Sequence, residues 1–281
     1  MIKLIVSDID GTLIGSSLAI SQPVREAVKA FEANGGFFSA CTGRFAGSGL
    51  LVAQTLGLNA PCVFSDGALV MWPKTGEVLY EQTIPIEAVR ELAVFCQAHG
   101  LVVELYDRTN YFVEHRHELI TMHGKMLEVY PVKRRFEPQF CDFSTVLTEE
   151  HHWIKAVILC DHPERKKLID QFAQEHPETL RFSSAKGPDK DHHHITFFNI
   201  THPAVSKGLA ALMVARELGI SVAETMAIGD ANNDEPLFEA AGVRVAMGNA
   251  TKELKSLSTH IVADSDHDGA AEAILTIAMK E

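Results

Sequence analysis

Most features that would tie a chain to a membrane, a nucleic acid or an oxidising compartment are missing here. No apolar run approaches the roughly eighteen residues that a membrane helix needs. The opening run, Ile2 to Val6, meets Asp8 too soon to be the apolar core of a signal peptide. Cationic side chains are outnumbered, 25 Lys and Arg against 37 Asp and Glu, giving a net charge of −12. General electrostatic attraction to nucleic acid or to an anionic bilayer is therefore disfavoured. Such a chain can bind phosphate only through local cations or a metal. The five cysteines, Cys41, Cys62, Cys96, Cys141 and Cys160, are odd in number, scattered and without CxxC spacing. That excludes a disulfide framework and fits free thiols in a reducing compartment. No internal repeat or low-complexity tract stands out. The expectation is a cytoplasmic protein, neither exported nor inserted, with no nucleic-acid partner.

What is present is a globular composition, 46% hydrophobic and 22% charged over 281 residues, enough for one large domain or two ordinary ones. The apolar run Ile2–Val6 reads as a strand, followed by a helix capped by Ser21 with Val24, Ala27, Val28 and Phe31 inward, then a strand Phe37 to Cys41. That order is a parallel crossover unit, so Thr42 should emerge at the same sheet edge as Asp8. A helix over 46–56, a strand at 62–64 and a hairpin of 68–71 with 78–80 extend the pattern. From about Ile84 the rhythm becomes α+β, with strands at 101–106, 111–113, 154–160, 180–183 and 195–200 and a helix carrying Leu168, Ile169 and Phe172 inward. The crossover pattern returns after Ser206. The expected fold is α/β, a Rossmann-like doubly wound parallel sheet (1–83 and 201–281) with an inserted α+β cap domain (84–200).

Four stretches carry chemistry. Asp8-Ile9-Asp10-Gly11-Thr12 puts two carboxylates at one strand end, and because a strand alternates its faces Asp8 and Asp10 are expected to point the same way while Ile9 points into the core. Their repulsion costs roughly 4 kcal/mol at ~4 Å and an effective dielectric of ~20, which a cation or a shared proton would offset. A solvated turn is the plain alternative. Thr42-Gly43-Arg44 follows the second strand. Ser206-Lys207-Gly208 opens a helix whose stripe Leu209, Leu212, Met213 and Leu218 is expected to pack on the sheet, leaving Lys207 free at the N-terminal end, where a cation suits phosphate. Gly229-Asp230-Ala231-Asn232-Asn233-Asp234 is an oxygen-rich turn suited to Mg²⁺, and equally to a helix N-cap. Twelve of the fourteen histidines lie between His99 and His202, including the run at 192–194. Adjacent histidines on a strand face opposite ways, so a surface role is favoured over one metal site.

In this order the four stretches resemble the haloacid dehalogenase superfamily of aspartate-nucleophile phosphatases. The long insert resembles the type IIB cap of the Cof-like branch, and Ala246-Met247-Gly248-Asn249-Ala250 is similar to that branch too. Asp66-Gly67-Ala68 departs from it, Asn being usual at the first position. The resemblance implies that Asp8 attacks phosphorus to form an aspartyl-phosphate and that Asp10 serves as general acid and base. It implies Mg²⁺ held by Asp8, the Asp10 backbone carbonyl and Asp230, with Asn233 and Asp234 orienting the ion's water and Lys207. Thr42, Gly43 and Lys207 would take phosphate oxygens, and Arg44 would reach the substrate more weakly. The implied partner is a small phosphorylated metabolite, a sugar phosphate first and a cofactor or nucleotide phosphate second, for a monomer or small homo-oligomer. A phosphomutase and a non-catalytic phosphate-sensing module are the competing readings. Asp10 and the long insert weigh against the second.

Overall fold

Short buried strands ending in polar turns organise the first half of the chain, as seen in a computed structural model that describes residues 1–126, 136–186 and 194–280. Strand β1 (Leu4–Ser7) leads through helix α1 (Gln22–Ala33) to β2 (Phe37–Ala40), then α2 (Ala46–Leu56), β3 (Cys62–Phe64), β4 (Leu69–Met71) and β5 (Val78–Glu81). The Ser21 hydroxyl accepts the Val24 N–H to cap α1, which buries Val24, Ala27, Val28 and Phe31. Gly57, at φ 74°, closes α2 in the left-handed region that favours glycine. Strands β3, β4 and β5 form their own three-stranded sheet.

The described residues fall into two compact units, 1–80 with 206–280, and those between 81 and 205. The second holds α3 (Ile86–His99), β6 (Val102–Tyr106), β7 (Tyr111–Val113), α4 (Glu118–Met126), β8 (Gln139–Phe140), α5 (Phe143–Val146), β9 (Lys155–Cys160), α6 (Pro163–Glu175), β10 (Arg181–Lys186) and β11 (Thr196–Thr201). Its six strands run in the order β10-β11-β9-β6-β7-β8. Val89 and Leu92 of α3 and Ile169 and Phe172 of α6 cluster with Leu105, Ile158 and Phe198 on one face of that sheet. Leu168, expected inward, is 37% exposed: Ile169 and Phe172, three apart, set the buried face and Leu168 falls on its flank. The opposite face buries Glu104, whose Oε2 takes hydrogen bonds from Tyr106 and His123. Of the histidine run at 192–194, positions 192 and 193 lie outside the described residues.

The last part adds α7 (Lys207–Glu217), β12 (Thr225–Gly229), α8 (Glu235–Glu239), β13 (Val243–Ala246), α9 (Lys252–Leu257), β14 (His260–Ile261) and α10 (Gly269–Ala273). The central sheet is parallel throughout, ordered β14-β13-β12-β1-β2. A parallel bridge from Cys41 to Val63 carries it on to β3. This is the expected doubly wound α/β core. None of the described helices is long and apolar enough to cross a membrane.

Helix α7 corrects one expectation. Leu209 is 52% exposed, and Leu212 and Met213 are exposed too, while the buried side is Lys207, Gly208, Ala210, Ala211, Val214 and Ala215. The cause is close approach. A Cβ on Gly208 would lie 2.1 Å from the Pro236 carbonyl oxygen, and one on Gly67 only 2.5 Å from that of Ser206. Only small side chains fit such a contact, so the large ones turn outward and the lysine turns in. Leu209→Gln is therefore expected to change stability by less than ~0.5 kcal/mol, whereas Ala211→Leu should cost about 1–3 kcal/mol by overpacking. Denaturant unfolding of the two variants checks the orientation.

Candidate active site

Parallel pairing aligns Ser7 with Ile228 on one side and with Ala40 on the other, so the turns after β1, β2 and β12 share one sheet edge. The strand ends at Ser7, one residue before the first acid, so strand alternation is not what brings Asp8 and Asp10 together. The Asp8 N–H still reaches the Ile228 carbonyl at 2.9 Å, after which the N–H groups of Thr12, Leu13 and Ile14 all turn back onto the Ile9 carbonyl. Gly11 takes φ 80° in this turn, and a Cβ there would sit 2.3 Å from Asp230 Oδ2. The glycine lets the first acidic loop close onto the Asp230 turn.

Lys207, at the first turn of α7, is 3% exposed. Its Nζ lies 2.7 Å from Asp8 Oδ1 and 2.7 Å from Asp234 Oδ1. Asp234 is fully buried and uses its second oxygen to accept the N–H groups of Asp230 and Ala231, at 3.1 and 3.2 Å. Both of its oxygens are thus committed, and it fixes the lysine and the Asp230 turn at once. Gly229 permits this, because a Cβ there would meet Asp234 Oδ2 at 2.7 Å. Thr12 donates its hydroxyl to Asp230 Oδ1 at 3.2 Å.

Asp10, in the same loop, has a different partner. The Arg44 guanidinium grips it with two parallel bonds, Nε to Oδ2 at 2.8 Å and Nη2 to Oδ1 at 2.6 Å, and gives Nη1 to Ser48 Oγ at 2.9 Å. Arg44 is buried while the Asp10 side chain is half exposed. Arg44, read from sequence as a weak substrate contact, is thus held against an acid of the site. The Thr42 hydroxyl accepts the Arg44 N–H at 3.1 Å. The turn after β3 supports that loop: Ser65 and Asp66 donate their N–H groups to the carbonyls of Arg44 and Thr42. Ser65 and Asp66 both have positive φ, 51° and 58°, and a Cβ on Gly43 would meet Asp66 Oδ1 at 2.8 Å. Asp66 therefore sits beside Gly43. Asn233 is exposed on the 3₁₀ turn Asn232–Asp234.

Charge is concentrated here. Burial pushes the Asp8 carboxyl well above its ordinary range against the opposing pull of Lys207, and Asp234, Asp230 and Asp10 push it further. Burial disfavours the Lys207 ammonium, yet Asp234 and Asp8 hold it well above the usual lysine value. Burial, then the Asp234 charge, raises Asp230 to about 7. One oxygen from each of Asp8, Asp230 and Asp234 lies within 4.8 Å of the others. Hard carboxylate oxygens with raised proton affinity are what a small divalent cation such as Mg²⁺ displaces protons from. The residues fit such an ion, with Asp8 and Asp230 better placed as ligands than the fully engaged Asp234.

A pH dependence follows from Asp230. Its raised value favours the folded, ion-free state below the ordinary carboxylate range, and that contribution is lost as pH rises through about 7. Mg²⁺ should therefore stabilise the fold most above pH 7. Its affinity should fall at least about tenfold per pH unit below that point, because each ion then displaces a proton from Asp230 and, where Asp8 is protonated as well, a second one from Asp8. Calorimetric titration with Mg²⁺ between pH 5.5 and 8 measures this, and a flat affinity would contradict it.

Known proteins resemble this chain over almost its whole length. A family model described as haloacid dehalogenase-like hydrolase matches residues 5–274. The phosphatase YwpJ of Bacillus subtilis is 24% identical over 96% of this chain and 97% of its own. Among solved structures, a haloacid dehalogenase-like hydrolase from Bacteroides thetaiotaomicron superposes with a TM-score of 0.85 at 24% identity, covering 99% of this chain and all of its own. A subclass IIB sugar phosphatase, BT4131, does so with a TM-score of 0.80 at 24% identity, covering 99% of each chain.

Proposed function

The chain belongs to the haloacid dehalogenase-like hydrolases and is a phosphoric monoester hydrolase, and from that premise we propose that it removes phosphate from small phosphorylated metabolites, sugar phosphates above all, through an aspartyl-phosphate on Asp8. The carrying observation is the triad in which Lys207 Nζ bridges Asp8 and Asp234 at 2.7 Å each, with a second acid, Asp10, two residues along the same loop. A buried cation against one carboxylate oxygen fixes the Asp8 side chain for in-line attack on phosphorus. Lys207, the Thr42 hydroxyl and the Gly43 N–H then supply donors to phosphate oxygens as charge builds there.

Asp10 is the proton carrier in this reading. It gives a proton to the departing oxygen as the phosphoenzyme forms, and later takes one from the water that opens the acyl phosphate. Arg44 holds its carboxylate in place between those steps. Asp8, the Asp10 backbone carbonyl and Asp230 would hold Mg²⁺, whose chemistry is to neutralise phosphate oxygens against an otherwise acidic surface. Asn233 and Asp234 would orient its hydration and Lys207. In this reading the choice of substrate resides in side chains of the unit over 81–205. The likeness to a subclass IIB sugar phosphatase supports sugar phosphates as the substrate class.

The test is a panel of phosphorylated metabolites incubated with and without Mg²⁺ and read as inorganic phosphate. Mg²⁺-dependent release, greatest for sugar phosphates, is the expected result. Isomerisation of a hexose phosphate without release would replace hydrolysis by phosphoryl transfer back to the sugar. Absence of turnover on every member would overturn the assignment.

A further inference from the structure

The sequence Ala246-Met247-Gly248-Asn249-Ala250 leaves β13 for the same sheet edge, and nothing in the reaction above uses it. Its one polar side chain has a specific environment. Asn249 Nδ2 donates to the Gly11 carbonyl oxygen at 2.9 Å and to Asp230 Oδ2 at 3.3 Å, while its Oδ1 accepts the Ser265 N–H at 3.0 Å. Since the Ser265 N–H can only donate, the oxygen of the amide must face it and the NH₂ must face Gly11 and Asp230. The orientation of the amide is thus set from behind.

The consequence lies at Asp230. Its Oδ1 takes the Thr12 hydroxyl and its Oδ2 takes Asn249, so one donor from the first acidic loop and one from the turn after β13 each hold one of the two carboxylate oxygens. Thr251 fixes the backbone of the same residue by donating its N–H to the Asp230 carbonyl at 3.0 Å. A neutral donor is required at position 249, because the surroundings already hold Asp8, Asp230 and Asp234, and a fourth negative group would add to their repulsion. We infer that Asn249 is a positioning residue that locks the Asp230 carboxylate and the Gly11 loop into one arrangement for a divalent cation, with Ser265 holding the amide in register. The inference rests on the reading of Asp230 as a cation ligand given above. Asn249 lies on the exposed rim, where water competes for its bonds, so the effect is graded rather than absolute.

Outer partners that aim a metal-ligating side chain are worth about 10- to 100-fold in metal affinity. Asn249→Ala is expected at the lower end of that range, a Mg²⁺ dissociation constant raised about tenfold, measured by calorimetry on the whole protein without substrate. Ser265→Pro removes the N–H behind the amide, together with the serine hydroxyl, at the first position of a 3₁₀ turn where proline is tolerated. It should weaken Mg²⁺ in the same direction by a few-fold. Leu209→Gln, on the exposed side of α7, should leave the affinity unchanged. Melting curves in chelator and in Mg²⁺ give a second reading: the Mg²⁺-induced rise should shrink in both clamp variants even where the ion-free melting point does not move. Wild-type affinity in Asn249→Ala, with an undiminished Mg²⁺-induced rise, overturns the inference. A wild-type protein that binds no Mg²⁺ would instead overturn the cation site itself.

Discussion

Asp8→Asn is expected to abolish Mg²⁺-dependent phosphate release, lowering the rate by at least about 10⁴-fold on the best substrate of the panel. The substitution keeps the size of the side chain and an oxygen for Lys207 Nζ, now 2.7 Å from Asp8 Oδ1, but an amide does not attack phosphorus to make a stable acyl phosphate. It also removes one of the charges that push against Asp230 and Asp234. The fold should therefore survive, with stability within about 2 kcal/mol of wild type because Lys207 keeps Asp234 as a counter-ion. A folded, inactive protein with weakened Mg²⁺ binding is the expected combination. Full activity in a folded Asp8→Asn protein would remove the nucleophile assignment, and rate assays beside melting curves decide the matter.

Much of this arrangement was legible in the chain because parallel crossover order is a strong constraint. Once β1, α1 and β2 are read from their apolar spacing, Asp8 and Thr42 must emerge at one edge, and the return of the pattern after Ser206 brings Lys207 and Asp230 there too. The side-chain directions were not legible. Apolar spacing in α7 favoured the leucines as the inner face, since size and hydropathy dominate such a pattern, whereas the true inner face is chosen by backbone approach at Gly208 and Gly67. That reversal buries Lys207, a placement no composition rule suggests for a lysine. The grip of Arg44 on Asp10 and of Asn249 on Asp230 was out of reach for a different reason. The two grips link residues 34 and 19 positions apart through side-chain bonds, and neither leaves a periodic signal. What one sequence did carry was the type of residue at each turn, which is enough for chemistry and insufficient for partners.

Lys207→Met tests how an acidic chain tolerates this site at all. The methionine preserves most of the volume of the lysine stem but leaves Asp234, fully buried, and Asp8, 6% exposed, facing one another without their shared cation. Removing one partner from a buried ionic group costs about 3–5 kcal/mol, which for a chain of this size lowers the melting point by roughly 10 °C. The loss should be largest near pH 8 without Mg²⁺, where the carboxylates are most charged. It should shrink in acid as Asp8, whose carboxyl already sits well above its ordinary range, takes up a proton. Adding Asp234→Asn should recover part of the stability by removing the stranded charge, a coupling that a double-mutant cycle measures directly. Activity should not return with it: the phosphate would still lack its buried cation, and the rate should remain about 10²–10³-fold down. If Lys207→Met melts like wild type at pH 8 in chelator, the buried triad is not the structural centre of the site. If stability and activity return together in the double variant, Lys207 serves the fold alone and phosphate recognition must come from elsewhere.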